Sequence, residues 1–135
     1  MATTKKFMYL NRKSSYGTVY AIESLEVVLI AAAFEQDVSL AFIDDGVFQI
    51  INDQNTDGIG MKNFSKTFHA LGDYDINKIY VSKESLEDRG LNEEDIMPLV
   101  YEDEDNDWEE KPSVKVLSNA ELSKIMSEQD VCLSF

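Results

Sequence analysis

Residues 18–34 are the most apolar part of this chain, with 13 apolar residues out of 17. Thr18 can cap the start of a helix here. The longest unbroken apolar run, residues 27–34, has 8 residues, far fewer than the ~18 that a membrane-spanning helix requires. A helix that is apolar on nearly every side must be buried on more than the stripe that faces a sheet. Neighbouring helices or a partner subunit must therefore cover it.

Strand patterns and helix patterns alternate on both sides of this helix. Short apolar segments predict strands at 5–11, 38–43, 76–82, 98–101, 114–117 and 131–135. Helices are predicted at 18–34, 61–71, 83–89 and 118–127, where Ser118 and Glu121 have the spacing of a capping box. Residues 47–51 fit a short helix or the return strand of a hairpin, and we favour the helix. Such alternation predicts an α/β fold of three layers (α/β/α), with a mainly parallel sheet of about five strands.

The length and the charge of the chain restrict its class. With 135 residues, 44% of them apolar, residues 1–135 are expected to form a single domain with its own core. The 12 basic and 26 acidic residues give a net charge of −14, which repels nucleic acids and anionic membranes. No secretory segment is recognised near the N-terminus, so we expect a cytoplasmic protein.

Half of that net charge lies in one short segment. Seven of the nine residues at 102–110 are acidic and none is basic. We therefore expect an acidic, solvated loop at 102–112, which could attract a basic partner. Trp108 lies within it, and such a lone tryptophan either packs back onto the domain or marks a contact with another protein.

Few residues offer catalytic or metal-binding chemistry. The chain has one histidine, His69, and one cysteine, Cys132, so we expect no metal site and no internal disulfide. Cys132 stands between Val131 and Leu133 in a predicted strand. We expect it to be a small buried residue and not a reactive thiol.

The turn at residues 12–18, after the first strand, is the place where open α/β sheets often bind ligands. Its serine, glycine and threonine content fits a phosphate group, as in flavodoxin-like proteins that bind FMN, but it fits a simple helix cap equally well. We favour the cap. The alternative function is an FMN-binding electron carrier, in which Tyr16 and Trp108 would enclose the flavin ring.

Several segments together resemble one protein family over nearly the whole chain. They are KKFMYLNRKSSYGTVYA, FIDDGVFQII, GIGMKNFSKTFHALGDYDINKIYVSKESLEDRGL and the final DVCLSF. This chain resembles the DsrE/DsrF-like family, and within it the DsrF/TusC subunit branch. The resemblance implies a cytoplasmic heterohexamer with two sister subunits, DsrE with DsrH or TusD with TusB, in two copies each.

The resemblance also implies a function, which is sulfur relay. In such complexes persulfide sulfur passes from a cysteine of one subunit to a cysteine of a downstream carrier protein, in intracellular sulfur oxidation or in tRNA 2-thiouridine synthesis. The sister subunit DsrE/TusD has its cysteine near the end of the strand before a short helix closed by an Arg-Gly pair. The matching residues here, 78–82 followed by Arg89 and Gly90, contain no cysteine. We therefore expect a non-catalytic subunit without a cofactor.

Exposed-looking aromatic residues are typical of surfaces that bind other proteins. On that basis the expected partner interface contains four residues, Tyr16, Phe48, Phe64 and Trp108. A third hypothesis gives Cys132 itself the sulfur-carrying role.

Overall fold

A computed structural model describes residues 5–13, 20–34, 36–51, 71 and 76–135. Its strands, in chain order, are β1 (Lys6–Asn11), β2 (Asp37–Phe42), β3 (Ile79–Ser82), β4 (Val100–Asp103), β5 (Glu109–Pro112), β6 (Val114–Leu117) and β7 (Val131–Ser134). Its α-helices are α1 (Tyr20–Ala33), α2 (Lys83–Asp88) and α3 (Asn119–Ser127). Short 3-10 helices occupy Asp44–Ile50, Glu93–Asp95 and Glu104–Asn106.

Five of these strands form one parallel sheet in the order β6-β3-β2-β1-β7. The strands β6 and β7 are therefore the two edges, and β2 lies in the centre. Central strands of a parallel sheet are buried on both faces and read as continuous apolar runs. The burial of β2 agrees, since the five residues from Val38 to Phe42 are all buried.

Two apolar clusters cover the two faces of the sheet. On one face Leu25 and Val28 of α1 pack with Tyr9, Leu40 and other buried residues of the larger cluster. On the other face the smaller cluster joins Leu122 of α3 to the sheet residues Met8, Leu10 and Ala41. Successive residues of a strand point to opposite faces, which is why Tyr9 belongs to one cluster and its neighbours to the other. The three-layer fold with a parallel sheet of five strands is therefore confirmed.

Most of the predicted elements agree with the structure to within a few residues. The capping box of α3 is present, because the Ser118 hydroxyl accepts from the Glu121 amide while the Glu121 carboxylate accepts from the Ser118 amide. The helical interpretation is also confirmed for residues 47–50, which belong to the 3-10 helix Asp44–Ile50, whereas Ile51 forms an isolated antiparallel bridge with Ile96. The predicted helix 61–71, apart from Leu71, and the predicted cap at Thr18 lie outside the described residues.

The segment 98–112 differs from the prediction. The strand expected at 98–101 is β4, and it pairs antiparallel with β5 instead of joining the main sheet. The acidic segment is thus not a loop but a hairpin, called the acidic hairpin below and comprising residues 100–112. Asp107 and Trp108 at its turn have positive φ angles of 55° and 59°. This left-handed backbone lets the chain reverse within a few residues.

None of the helices in the described part of the chain is long and apolar enough to span a membrane.

Gly46 is the point of closest approach between the 3-10 helix Asp44–Ile50 and β1. A side-chain carbon at this position would overlap the backbone carbonyl of Asn11. That carbonyl also accepts a hydrogen bond from the Ile43 amide at 3.1 Å. The absence of a side chain at Gly46 therefore allows the segment after β2 to pack directly against the end of β1.

We expect Gly46→Ala to lower the free energy of unfolding by about 3 kcal/mol, because the new methyl group meets backbone that cannot move away alone. The matched control is Gly90→Ala. Gly90 has a φ of 69° but open space around its side-chain position, so only backbone strain of about 1 kcal/mol applies. Urea unfolding followed by circular dichroism measures both. Equal losses in the two variants would contradict the close packing at Gly46.

Candidate functional site

The carboxyl end of β3 is the candidate site, because ligands and reacting groups of open α/β sheets gather at this edge. Ser82 is the last residue of β3 and is fully buried. Its hydroxyl donates to the Asn119 side-chain oxygen at 2.6 Å and accepts from the Ser85 amide at 3.1 Å. Both contacts are structural, since one joins β3 to α3 and the other caps α2. Neither partner is a base that could activate the hydroxyl as a nucleophile.

Polar contacts tie the neighbouring segments to α2. The Asp44 amide donates to the Ser85 hydroxyl at 2.9 Å. Arg89 contacts the Asp45 carboxylate at 3.0 Å and donates to the Ser85 carbonyl at 3.1 Å. The two aspartates thus hold the 3-10 helix Asp44–Ile50 against α2. Within the described residues this edge of the sheet contains hydrogen-bonded scaffold and no thiol.

The end of β1 adds one further ion pair at the same edge. Arg12 lies 3.6 Å from Asp44, and both side chains are more than half exposed. An exposed pair of this kind contributes at most about 1 kcal/mol. Tyr16 and most of the turn 12–18 lie outside the described residues.

Cys132 is exposed, so the prediction that it is a buried core residue is wrong. It lies on the edge strand β7, which pairs with β1 on one side only. Its sulfur is 3.8 Å from the Met126 carbonyl near the end of α3. An apolar strand sequence does not distinguish an edge strand from a central one, which explains the error.

The structure has a further exposed apolar surface on α1, which is not among the four residues expected at an interface. Ile30 is 58% exposed and Phe34, just after the helix, is 73% exposed. Residues four apart share one face of a helix, so these two side chains form an apolar pair on the outside of α1. We call this pair the α1 patch. The only signal for it in the sequence is the excess of apolar residues at 18–34.

The four aromatic residues expected at an interface have different outcomes. Trp108 is 62% exposed in the turn of the acidic hairpin, and Phe48 is 39% exposed on the 3-10 helix Asp44–Ile50. Tyr16 and Phe64 lie outside the described residues. Their role at an interface stays a prediction.

The FMN alternative requires Trp108 and Tyr16 to lie side by side. The acidic hairpin that contains Trp108 leads through Pro112 into the amino end of β6, whereas Tyr16 lies outside the described residues. The pairing of these two side chains therefore stays a prediction.

The acidic hairpin is held by one ion pair. Lys111 on β5 donates to the Asp103 carboxylate on β4 at 2.6 Å. This hydrogen bond lowers the pKa of Asp103, with a smaller contribution from the Asp105 amide. It also raises the pKa of Lys111. The Trp108 backbone amide donates to the Asp103 carbonyl at 2.9 Å, which joins the turn of the hairpin to the same residue.

A small polar cavity of about 130 Å³ lies between α3 and the amino ends of the strands. Two of its charged groups are paired with each other, because Lys78 donates to both carboxylate oxygens of Asp37 at 2.8 and 3.0 Å. Burial is the main cause that raises the pKa of Tyr80 beside it. The ion pair between Lys78 and Asp37 therefore joins the amino ends of β2 and β3 beside this cavity.

The sequence was compared with known proteins. The model of the DsrE/DsrF-like family matches residues 5–135. The "Intracellular sulfur oxidation protein DsrF" of Allochromatium vinosum is 53% identical over 131 residues, which cover 97% of this chain and 96% of that protein. A "Protein TusC homolog" of Vibrio vulnificus is 30% identical over 127 residues, covering 94% and 96%. "Protein TusC" of Escherichia coli O9:H4 is 34% identical over 98 residues, covering 73% and 81%.

One solved structure shows the same fold. The crystal structure of the ychN protein from E. coli superposes with a TM-score of 0.73, covering 98% of this chain and 100% of that chain. Its sequence identity is only 18%, so this likeness concerns the fold alone.

The fluorescence of Trp108, the single tryptophan of the chain, reports on the acidic hairpin. The lowered pKa of Asp103 means that the pair with Lys111 is fully present above the ordinary carboxyl pKa. It is lost as the pH falls through the lowered pKa of Asp103. We expect an acid titration of the fluorescence to show this step, and Asp103→Asn to lack it. Asp105→Asn in the same turn is the control, and loss of the step there too would contradict the assignment to Asp103.

Proposed function

Because this chain belongs to the DsrE/DsrF-like family, we propose that it is a non-catalytic subunit of a complex that passes persulfide sulfur between protein cysteines. The observation that carries the proposal is the end of β3. The residues of β3 and α2 match the element that holds the sulfur-accepting cysteine in a sister subunit, and here Ser82 ends the strand. Its hydroxyl is buried and engaged on both sides.

The chemistry of sulfur relay explains why a serine cannot replace the cysteine. An acceptor thiolate attacks the outer sulfur of a persulfide, a new sulfur–sulfur bond forms, and the old one breaks. The donor cysteine leaves as a thiolate, so the step needs no external oxidant or reductant. A hydroxyl neither ionises near neutral pH nor forms a stable bond of this kind with sulfur. The chain therefore has a structural or docking role at this position.

The relatives favour one of the two known processes. The identity to DsrF of Allochromatium vinosum is 53%, against 30% and 34% for the two TusC proteins. We infer that the complex acts in intracellular sulfur oxidation and not in tRNA 2-thiouridine synthesis. Its other members are two sister subunits, DsrE-like and DsrH-like, in a heterohexamer within the cytoplasm, and a downstream sulfur-carrier protein receives the sulfur.

The α1 patch supports membership in such an assembly. Ile30 and Phe34 expose large apolar side chains, and an apolar surface of this kind is typical of a contact with a permanent partner. We propose that a sister subunit covers the α1 patch, with Phe48, Trp108 and the aromatic residues Tyr16 and Phe64 at other contacts of the complex.

Ser82→Ala tests the non-catalytic role. We expect the free energy of unfolding to fall by about 1 kcal/mol, because the helix cap and the contact with Asn119 are lost. We expect the rate of persulfide transfer by the assembled complex to stay unchanged in this variant. We expect the same of a second test variant, Cys132→Ser. Ser123→Ala on the exposed side of α3 is the stability control. A tenfold slower transfer in either test variant, with the assembly intact, would overturn the proposal.

Ile30→Glu combined with Phe34→Glu tests the partner interface. We expect the double variant to lose its sister subunits when it is co-produced with them, because two desolvated carboxylates oppose burial. Native mass spectrometry of the purified complex measures the composition. Val100→Glu, which places one carboxylate on a 39% exposed apolar residue of the acidic hairpin, is the control for an acidic change outside the α1 patch. A full heterohexamer in the double variant would show that the interface lies elsewhere.

A further inference from the structure

An apolar groove follows the outer side of the edge strand β6. It encloses about 340 Å³. We call it the edge groove and define it by four apolar residues and two acidic residues at its rim: Ile96, Leu99, Val114, Val116, Glu93 and Glu94. Ile96 and Leu99 are buried, while the two valines are half-buried. The groove is thus an apolar surface beside a sheet edge.

The edge groove continues beyond the carboxyl half of β6. A second cavity of about 170 Å³ is lined by three residues of α2, Lys83, Leu86 and Glu87. It shares Glu93 and Val116 with the first cavity. The combined surface therefore runs beside the whole of β6, whose four residues span about 13 Å.

The backbone of β6 has unused hydrogen-bonding groups on this side. The Ser113 carbonyl accepts from the Ile79 amide at 3.2 Å, so it faces β3. Because backbone groups alternate along a strand, Lys115 and Leu117 also face β3, and Val114 and Val116 face away from it. In the part of the chain that the structure describes, no strand pairs with this side of β6. An open edge of this kind is a template for another strand.

The charge around the edge groove selects the strand that fits. Glu87, Glu93 and Glu94 lie at the rim, with Lys83 as the opposing charge. The acidic hairpin adjoins its far end, because Pro112 lines the groove and is the last residue of β5. Lysine or arginine side chains of a partner would meet these carboxylates, while an acidic segment would be repelled.

We propose that the edge groove binds an extended, basic segment of a partner protein, which adds a sixth strand to the sheet beside β6. Its apolar side chains, spaced two residues apart, enter the groove. Its backbone pairs with Val114 and Val116, and its basic side chains reach the acidic rim. This mode of recognition obtains affinity from backbone hydrogen bonds and specificity from alternate side chains. The inference does not depend on sulfur chemistry, so its test is independent of the function proposed above.

The probe is a fluorescein-labelled peptide in which four lysines alternate with three valines, titrated against the full chain by fluorescence anisotropy. Val116→Pro removes one outward amide without touching the pairing with β3, and we expect about tenfold weaker binding. Ser134→Pro is the matched control on the opposite edge. Phe135 donates to the Leu10 carbonyl there, so the Ser134 amide also faces outward.

A second pair of variants separates the effect of the acidic rim on peptide binding from the effect of the net charge of the chain. Glu93→Lys with Glu94→Lys is expected to weaken peptide binding about tenfold. Glu23→Lys with Glu26→Lys changes the net charge equally on exposed positions of α1 and is expected to have little effect. Equal weakening of peptide binding by both pairs would show that the attraction is a non-specific effect of net charge, and it would overturn the proposal.

Hydrogen exchange identifies the binding mode. On peptide binding we expect slower exchange at the amides of Val114 and Val116, while Lys115, already paired with β3, changes little. Unchanged exchange at both valines would overturn the strand addition. Protection that rises with protein concentration in the absence of peptide would also overturn it, because it would show pairing between two copies of this chain.

Discussion

Burial of both faces of the three central strands is the constraint on which the rest of the structure depends. The strands β1, β2 and β3 pair in parallel, and parallel strands are stable only when helices cover both faces. On one face α1, α2 and the 3-10 helix Asp44–Ile50 supply this cover, while α3 supplies it on the other. The central strands are therefore closed to solvent, whereas β6 and β7 keep accessible edges, and these edges are where the protein can meet other molecules.

The sequence predicts the parts of this arrangement that depend on local chemistry. The capping pair Ser118 and Glu121 fixes the start of α3, and Gly90 ends the segment after α2 because it adopts a left-handed conformation. The acidic hairpin could not be predicted in the same way. Its sequence has the composition of a solvated loop, and its strands pair through the contact between Lys111 and Asp103 and the left-handed turn at Asp107 and Trp108. Such pairing depends on a left-handed conformation at two successive non-glycine residues, which is uncommon.

One property of the candidate site was predictable, namely the absence of a cysteine, because residues 78–82 contain none in the sequence. The contacts that replace a thiol were not predictable, because Asn119 comes from a distant helix and meets Ser82 only in the folded chain. The exposure of Cys132 and of the α1 patch was not predictable for the same reason. Whether an apolar strand is central, or an apolar helix is covered on its outer side, depends on its neighbours and not on its own pattern.

The two exposed regions differ in the physical basis of their contacts. The α1 patch is apolar, and its burial gains free energy from water released from Ile30 and Phe34, a term that hardly depends on salt. The edge groove combines an apolar floor with Glu93 and Glu94 and lies beside the acidic hairpin, so charge attraction speeds the approach of a basic segment and weakens as salt rises. A permanent subunit contact suits the first surface, and a partner that arrives and leaves suits the second. A chain with no cysteine at the end of β3 can therefore contribute to the proposed relay in two ways, by holding the complex together through the α1 patch and by receiving a transient protein at the edge groove.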